Sequence, residues 1–169
     1  MDSKRYFRKT VVRFQSQFQP EQVWTFSTHP EFETRFDKEP CYHNSIPDNF
    51  ELAVGKHWTE IHTGEDCNGD KIQCKIIEIQ KDSKFKTIRH QAGIQNITTI
   101  ELKSNAEGTL ISTEQSFAPS LKSFNALHLI SWFMLATGLL TKFSFKPDDD
   151  LFWFEQMEKA VATSEHTTG

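Results

Sequence analysis

Hydrophobic and polar positions alternate along much of this chain, in short runs separated by turn signals. In the first run, residues 10–18, Val12, Phe14 and Phe18 share one side. Alternation of this kind predicts a half-buried strand. The period of two returns after Phe50 in runs spaced roughly every ten residues, as in an antiparallel meander. These runs cover residues 57–63, 71–80, 85–91, 95–103 and 109–117.

The run at residues 71–80 changes phase part-way along. Its apolar positions are first Ile72, Cys74 and Ile76 and then Ile77 and Ile79. A shift by one residue exchanges the two faces of a strand, so the pattern predicts a bulge or a strong bend at this point.

Helical periodicity appears near both ends of the chain. Pro20 begins one helix at a position where its fixed φ is tolerated, and a shorter helix is predicted at residues 31–36. Residues 148–162 form a terminal helix that opens with three aspartates, whose charge suits a helix N-terminus. Its apolar stripe needs a partner surface and consists of Trp153, Phe154, Met157, Ala160 and Val161.

Residues 121–143 form an apolar segment with no charged residue between Lys122 and Lys142. Its apolar positions go all the way round a helix, and its length reaches the lower limit of roughly 20 residues for a membrane span. Polar residues such as Asn125 and His128 interrupt it, and no basic cluster flanks it. We therefore expect a buried or interface helix and no integral membrane span.

Composition limits the class of protein. The 169 residues suit one domain, and a net charge of −4 without a basic stripe argues against nucleic acid as a partner. The three cysteines, Cys41, Cys67 and Cys74, lack metal-binding spacing. They predict free thiols in a reducing compartment. The charged first residues show no signal peptide, so we expect a cytoplasmic protein.

The order β-α-α-β…β-α resembles the START-like superfamily, which is also called SRPBCC. Val54-Gly55-Lys56-His57-Trp58 opens the second half, and Gly108-Thr109-Leu110-Ile111 opens the last strand. The closest similarity is to the polyketide cyclase/dehydrase and lipid-transport branch. The resemblance implies an α+β helix-grip fold, in which a curved antiparallel sheet wraps around a long C-terminal helix. It also implies a cavity between sheet and helix that holds lipids, polyketides or other apolar molecules.

The chain departs from this superfamily where residues 120–147 separate the last strand from the final helix. Residues 1–169 are expected to form a single START-like domain, with 121–147 as an apolar insert or lid helix and 148–163 as the C-terminal helix. Two arrangements are open. In the first, the apolar segment is itself the gripped helix and the last helix is appended. In the second, the segment is a lid over the cavity mouth.

Polar residues that interrupt apolar strand faces are the candidates for ligand contact. His90 follows Ile88 in phase and is a candidate for catalysis, although a hydrogen-bonded core histidine or a histidine at a strand end explains it as well. Ser16 and Thr98 could orient a ligand hydroxyl or carbonyl. His57 and His62 point to opposite faces of a strand, so no metal site is predicted. The candidate ligand-binding residues are Phe14, Ser16, Trp58, Ile76, His90, Thr98, Ile100, Trp132, Trp153, Phe154 and Met157.

Three functions are compatible with these patterns. The first is binding of a hydrophobic small molecule or lipid, because much of the aromatic mass of 15 Phe and four Trp must be buried. The second is a cyclase, aromatase or dehydratase that moves a proton with His90 or His57 in the same cavity. The third is a protein that docks through residues 121–143 on a partner, on a second copy as a homodimer, or on a membrane surface. No cofactor is expected, since the chain has no glycine-rich phosphate loop.

Overall fold

Seven strands and four helices make up the part of the chain that the computed structural model describes, which is residues 8–36, 41–63, 69–120, 128–139 and 147–165. In chain order they are β1 (Arg8–Ser16), α1 (Pro20–Thr28), α2 (Pro30–Glu33), β2 (Tyr42–Ser45), β3 (His57–His62), β4 (Lys71–Gln80), β5 (Lys84–Gln91), β6 (Ile94–Asn105), β7 (Gly108–Pro119), α3 (His128–Thr137) and α4 (Pro147–Glu165).

The strands form one antiparallel sheet in the order β1-β7-β6-β5-β4-β3-β2. Consecutive strands from β2 to β7 are neighbours, as in a meander, and β1 joins at the far edge beside β7. The sheet is curved and open, with β1 and β2 at its two edges. Together with the helices it confirms the predicted α+β class and the helix-grip architecture.

The predicted irregularity in β4 is present. The register between β4 and β5 shifts between Ile76 and Glu78, which leaves Ile77 without a partner in the ladder. Ile76 is fully buried, whereas Ile77 and Ile79 are half-buried. An extra residue of this kind bends the strand and increases its twist, and this helps the sheet to curve.

Helix α4 lies against the concave face of the sheet, so the final helix is the one that the sheet grips. The Phe154 ring stacks on Phe14 of β1 with centroids 5.2 Å apart. Met157 is fully buried, and its sulfur accepts a hydrogen bond from Ser27 of α1 at 3.3 Å. The Glu158 carboxylate accepts a hydrogen bond from Ser16 Oγ at 2.7 Å, which fixes the end of β1 to the helix.

The described helix α3 lies within residues 121–143, where a single helix was predicted, and ends before residue 143. It ends at Thr137, and Gly138 follows with a φ of +79°, a left-handed conformation that commonly terminates helices at glycine. α3 contacts β7, and Trp132 Nε1 donates a hydrogen bond to the Gly93 carbonyl at 2.7 Å. Residues 121–127 and 140–146 of the predicted segment lie outside the described residues.

Within the described ranges, no helix is long and apolar enough to cross a membrane.

Candidate functional site

A cavity of about 250 Å³ lies between the concave face of the sheet, helices α1 and α2, and the start of α4. Both polar and apolar side chains contribute to its wall. Its described lining consists of Phe26, Ser27, Thr28, His29, Pro30, Glu33, Tyr42, Trp58, Glu60, Cys74, Phe85, Thr87, Arg89, Thr98, Ile100, Thr113, Gln115, Asp150, Trp153 and Phe154.

Strand alternation determines which sheet residues reach the cavity. On β5 the lining residues Phe85, Thr87 and Arg89 are two apart, so the residues between them point to the other face. Thr87 pairs with Thr98 of β6, which in turn pairs with Gln115 of β7. A row of three polar side chains therefore crosses the middle of the cavity wall.

Aromatic rings supply the apolar part of the wall. Trp153 and Phe154 of α4 meet edge to face with centroids 5.4 Å apart. The Trp153 indole is also fixed by a hydrogen bond from Nε1 to the Glu33 carbonyl at 2.8 Å. On the sheet, Trp58 and Phe85 are each 4% exposed. Rigid rings held in this way give a pocket whose shape is largely set before a ligand enters.

A buried ion pair forms the polar end of the cavity. Glu60 of β3 is 1% exposed, and both of its carboxylate oxygens accept hydrogen bonds at 3.0 Å from Arg89 Nη1. Cys74 of β4 donates from Sγ to Glu60 Oε1 at 2.8 Å. Removing charges from water is costly, and such a pair is retained only where it is well bonded.

The pKa values of the partners follow from this arrangement. Burial raises the pKa of the Cys74 thiol far above its usual value, and the adjacent Glu60 charge raises it further. For Arg89, burial is the largest influence and acts to lower the pKa, but Glu60 together with the neighbouring Tyr42, Cys74 and Glu33 raises the pKa above its usual value. The site therefore holds a permanently charged guanidinium beside a thiol that stays protonated.

Two further side chains connect Glu60 to the sheet edge at β2. His62 Nε2 lies 3.7 Å from Glu60 Oε2, and the His62 ring stacks on Tyr42 with centroids 5.4 Å apart. Tyr42 in turn lines the cavity. On the same side, Asn44 of β2 donates to the Glu33 carboxylate at 2.9 Å. The polar end thus continues from the cavity into β2.

Five of the candidate ligand-binding residues line the cavity: Trp58, Thr98, Ile100, Trp153 and Phe154. The other six lie outside its described lining. The Phe14 ring stacks on Phe154, and Ser16 donates a hydrogen bond to Glu158. Ile76 and Met157 are fully buried in the core. Trp132 lies on α3 beside Gly93.

His90 lies on the opposite face of β5 from Thr87 and Arg89, and so it does not line the cavity. Its Nδ1 is 2.9 Å from Ser120 Oγ, and Ser120 is 6% exposed. The half-buried His90, hydrogen-bonded near the end of β5, therefore fits a structural role and not a ligand contact in this cavity. His57, at the start of β3, is exposed and also lies outside the described lining.

Sequence reasoning missed the charged residues of the site, Glu60, Arg89, Glu33 and Asp150. Two of them carried a signal in the strand phase. Arg89 is in phase with Phe85, and Glu60 is in phase with Trp58. A charge on the apolar face of a strand predicts a buried, paired group. Glu33 and Asp150 lie on helices, where no comparable signal marks them.

Comparisons with known proteins identify the fold. No protein-family model and no curated protein matches the chain. Among solved structures, protein MLL2253 from Mesorhizobium loti is 17% identical, with a TM-score of 0.56 over 92% of this chain and 98% of that one. A Rhodobacter sphaeroides protein is 13% identical, with a TM-score of 0.63 over 93% of both chains. SA2116 from Staphylococcus aureus, described as a protein of unknown function, is 14% identical, with a TM-score of 0.56 over 94% of this chain and 96% of that one. These likenesses show the fold alone.

Proposed function

We propose that this chain binds a hydrophobic small molecule in the cavity between the sheet and α4, and that it is a START-like protein of the polyketide cyclase/dehydrase and lipid-transport branch. The observation that carries the proposal is the cavity itself, whose wall combines aromatic rings with a few fixed polar groups. Binding pockets for small molecules generally have this composition. The helix-grip architecture and the order of elements support the superfamily.

The size of the cavity limits the ligand. A volume of about 250 Å³ lies just below the range of roughly 300–1,000 Å³ that is usual for small-molecule pockets. This space suits a compact molecule with a single ring or a short chain. A lipid with two long acyl chains would require the cavity to open, so we favour a small hydrophobic compound over a whole membrane lipid.

Extraction of the purified protein followed by mass spectrometry tests the proposal directly. Protein produced without detergent is extracted into organic solvent, and the extract is compared with that of a variant whose cavity is filled, Thr98→Phe. We expect one small hydrophobic compound in near-stoichiometric amount, which the variant lacks. Failure to recover such a compound, together with no binding of small aromatic probes in solution, would refute the proposed function.

A second candidate function is favoured by the exposed apolar face of α3. Leu129, Ile130 and Phe133 are 56%, 63% and 64% exposed, and exposed groups of this kind mark interaction sites. We propose that this face binds a second copy of the chain, because an uncharged face can pair with itself without charge conflict. Light scattering should show a dimer that Phe133→Glu converts to a monomer. A wild-type monomer, or a shift only on addition of liposomes, would contradict it.

Catalysis in the same cavity stays a prediction from the sequence, as does the cytoplasmic location. The two histidines named for proton transfer, His57 and His90, lie outside the described cavity lining. A test of turnover would therefore begin with the groups that do line it.

A further inference from the structure

Arg89 presents unused hydrogen-bond donors to the cavity. Its hydrogen bonds to the described residues all run from Nη1 to Glu60. A guanidinium has five N–H donors, of which Nη1 carries two, so those on Nη2 and Nε remain. The side chain lines the cavity and is 30% exposed. A cavity-lining guanidinium thus keeps donors that no described residue uses.

Trp58 provides a second, independent donor in the same wall. Its side chain lines the cavity and is 4% exposed, and its Nε1 lies buried within the wall with no hydrogen-bond partner in the described part of the chain, so an acceptor in the cavity reaches it only after a small shift of the surrounding side chains. A buried donor without a partner costs about 1–3 kcal/mol. By contrast, the other lining tryptophan, Trp153, already uses its Nε1 on the Glu33 carbonyl.

The sheet register brings these two donors to one region. Trp58 of β3 pairs with Cys74 of β4, and Cys74 pairs with Arg89 of β5. Because neighbouring strands are about 4.8 Å apart, the two residues start roughly 10 Å from each other across the concave face. Both side chains line the same cavity, next to the Glu60 carboxylate to which Cys74 and Arg89 are hydrogen-bonded.

The local charge indicates which acceptor these donors recognise. The positive charge of Arg89 is balanced by Glu60, with which it forms a close pair. A carboxylate ligand entering here would gain donors but would also approach the carboxylates of Glu60, Glu33 and Asp150, which all line the cavity. A neutral acceptor gains the same hydrogen bonds without that repulsion, and the aromatic part of the wall accepts its apolar body.

We propose that the ligand carries a neutral carbonyl oxygen, as in a ketone, ester or amide, and that Arg89 and Trp58 bind this oxygen while the aromatic wall holds the rest of the molecule. This inference rests on the proposed function and names the ligand class for the same cavity. Arg89 and Trp58 are then its specificity-determining residues.

Matched probes that differ only in the acceptor test the inference. Acetophenone and ethylbenzene share an aromatic body, while benzoate adds a negative charge and 1-phenylethylamine a positive one. Dissociation constants are measured by titration monitored in ¹H–¹⁵N spectra, where the Trp58 indole signal, assigned with Trp58→Phe, reports on the donor itself. We expect acetophenone to bind about tenfold more tightly than ethylbenzene, as hydrogen bonds with charged partners allow. It should also bind more tightly than either charged probe and move the Trp58 indole signal.

Variants assign the preference to the two residues. Trp58→Phe keeps a ring and removes Nε1, and Arg89→Lys keeps a cation beside Glu60 but removes the planar fork. Each should bring the acetophenone-to-ethylbenzene ratio toward one. Trp153→Phe is the matched control, because the Nε1 that it removes is already bonded to Glu33. It should leave the ratio unchanged even where it weakens both probes.

The outcomes separate this inference from the proposed function. Equal binding of acetophenone and ethylbenzene would overturn the carbonyl assignment and leave the hydrophobic site in place. Preference for benzoate or for 1-phenylethylamine would also overturn it, in favour of a charged ligand. Absence of binding by all four probes, with no compound recovered from the purified protein, would remove both proposals. A wild-type ratio that survives in Trp58→Phe and Arg89→Lys would reassign the recognition to other residues.

Discussion

Glu60 holds the polar end of the cavity together, because Arg89 and Cys74 both bond to its carboxylate. Arg89→Met should therefore lower the free energy of unfolding by about 3–5 kcal/mol, since it leaves a buried charge without its partner. Urea denaturation measures the loss. The double variant Glu60→Gln with Arg89→Met should be more stable than Arg89→Met alone.

Lys84→Met on the same strand is the control for Arg89→Met. Lys84 forms an ion pair with Glu78 at 3.0 Å, but both side chains are about one-third exposed. A pair in such a setting contributes about 0–1 kcal/mol, so this variant should change the free energy of unfolding little. Equal losses in the two single variants would show that the Glu60 pair is no more important than a surface contact.

Cys74 should be chemically inert in the folded protein. Burial and the neighbouring Glu60 raise the pKa of its thiol, and only the thiolate reacts rapidly with alkylating agents. Cys41 is a free and exposed cysteine and serves as the internal control. We expect brief treatment with iodoacetamide at mildly alkaline pH to modify Cys41 and to modify Cys74 only after denaturation, as measured by peptide mass mapping. Equal labelling of both in native protein would contradict the buried environment.

Glu114, on the outer face of the sheet, should titrate below the usual range for glutamate. A hydrogen bond from Lys9 at 3.0 Å is the main cause of its lowered pKa. A lowered folded-state pKa means that its contribution to stability is present above the unfolded-state pKa and is lost as the pH falls through the folded-state pKa. Carboxyl ¹³C NMR should show the pKa rising toward the ordinary value in Lys9→Met. An unchanged titration curve would mean that the bond is not formed in solution.

The residues of the site could be predicted only in part from the sequence, and strand phase explains which ones. Thr98 and Ile100 were recognised because they share an apolar face, and both line the cavity. His90 drew attention for the same reason, yet its face of β5 is the other one. Alternation gives two faces but does not say which of them the helix covers.

At the level of elements, Gly93 lies in the β5–β6 turn and packs closely against His128 of α3. Its φ is +72°, and a Cβ placed there would lie 2.6 Å from the His128 Cβ. Gly93→Ala should therefore lower the free energy of unfolding by about 2–4 kcal/mol, from backbone strain together with overpacking. It should also displace α3 and reduce hydrogen-exchange protection of the Trp132 indole, which bonds to the Gly93 carbonyl.

Gly55→Ala is the matched control for Gly93→Ala. Gly55 also has a positive φ, of +92°, but a Cβ there would meet no atom within 4 Å. It should show only the backbone strain, about 1 kcal/mol, and leave the Trp132 indole protected. A similar loss in both variants, with Trp132 unaffected, would show that α3 does not depend on close contact at this turn.

Elements with a clear period were predicted well, and those without one were not. The run at residues 71–80 matches β4 to the residue, and its change of phase marks the bulge. β2 was missed because its four residues, Tyr42–Ser45, lie at a sheet edge with no fully buried position. The helix predicted at 121–143 is interrupted after Thr137, because Gly138 adopts a left-handed conformation that the hydrophobic pattern does not mark.

On the scale of the whole molecule, the cavity depends on contacts between distant parts of the chain. β1 pairs with β7 along its whole length, and α4 packs against β1 and α1. These contacts hold the curved sheet and the helix at a separation that side chains do not fill completely. Periodicity predicts that the two surfaces meet, but not how much space is left between them, because that depends on the summed packing of many residues.

Filling this space should abolish binding without unfolding the protein. Thr98 faces the cavity, so Thr98→Phe places a ring in the volume that the ligand would occupy. Because the cavity is already present, the ring gains contacts and should maintain or raise the free energy of unfolding. Thr99, the next residue of β6, pairs with Glu114 on the outer face, and Thr99→Phe adds the same ring outside. We expect calorimetric titration with acetophenone to detect binding in the Thr99 variant and none in the Thr98 variant. Equal binding by both would place the ligand outside the cavity, whereas loss of folding in Thr98→Phe alone would mean that the interior is more tightly packed than the structure shows.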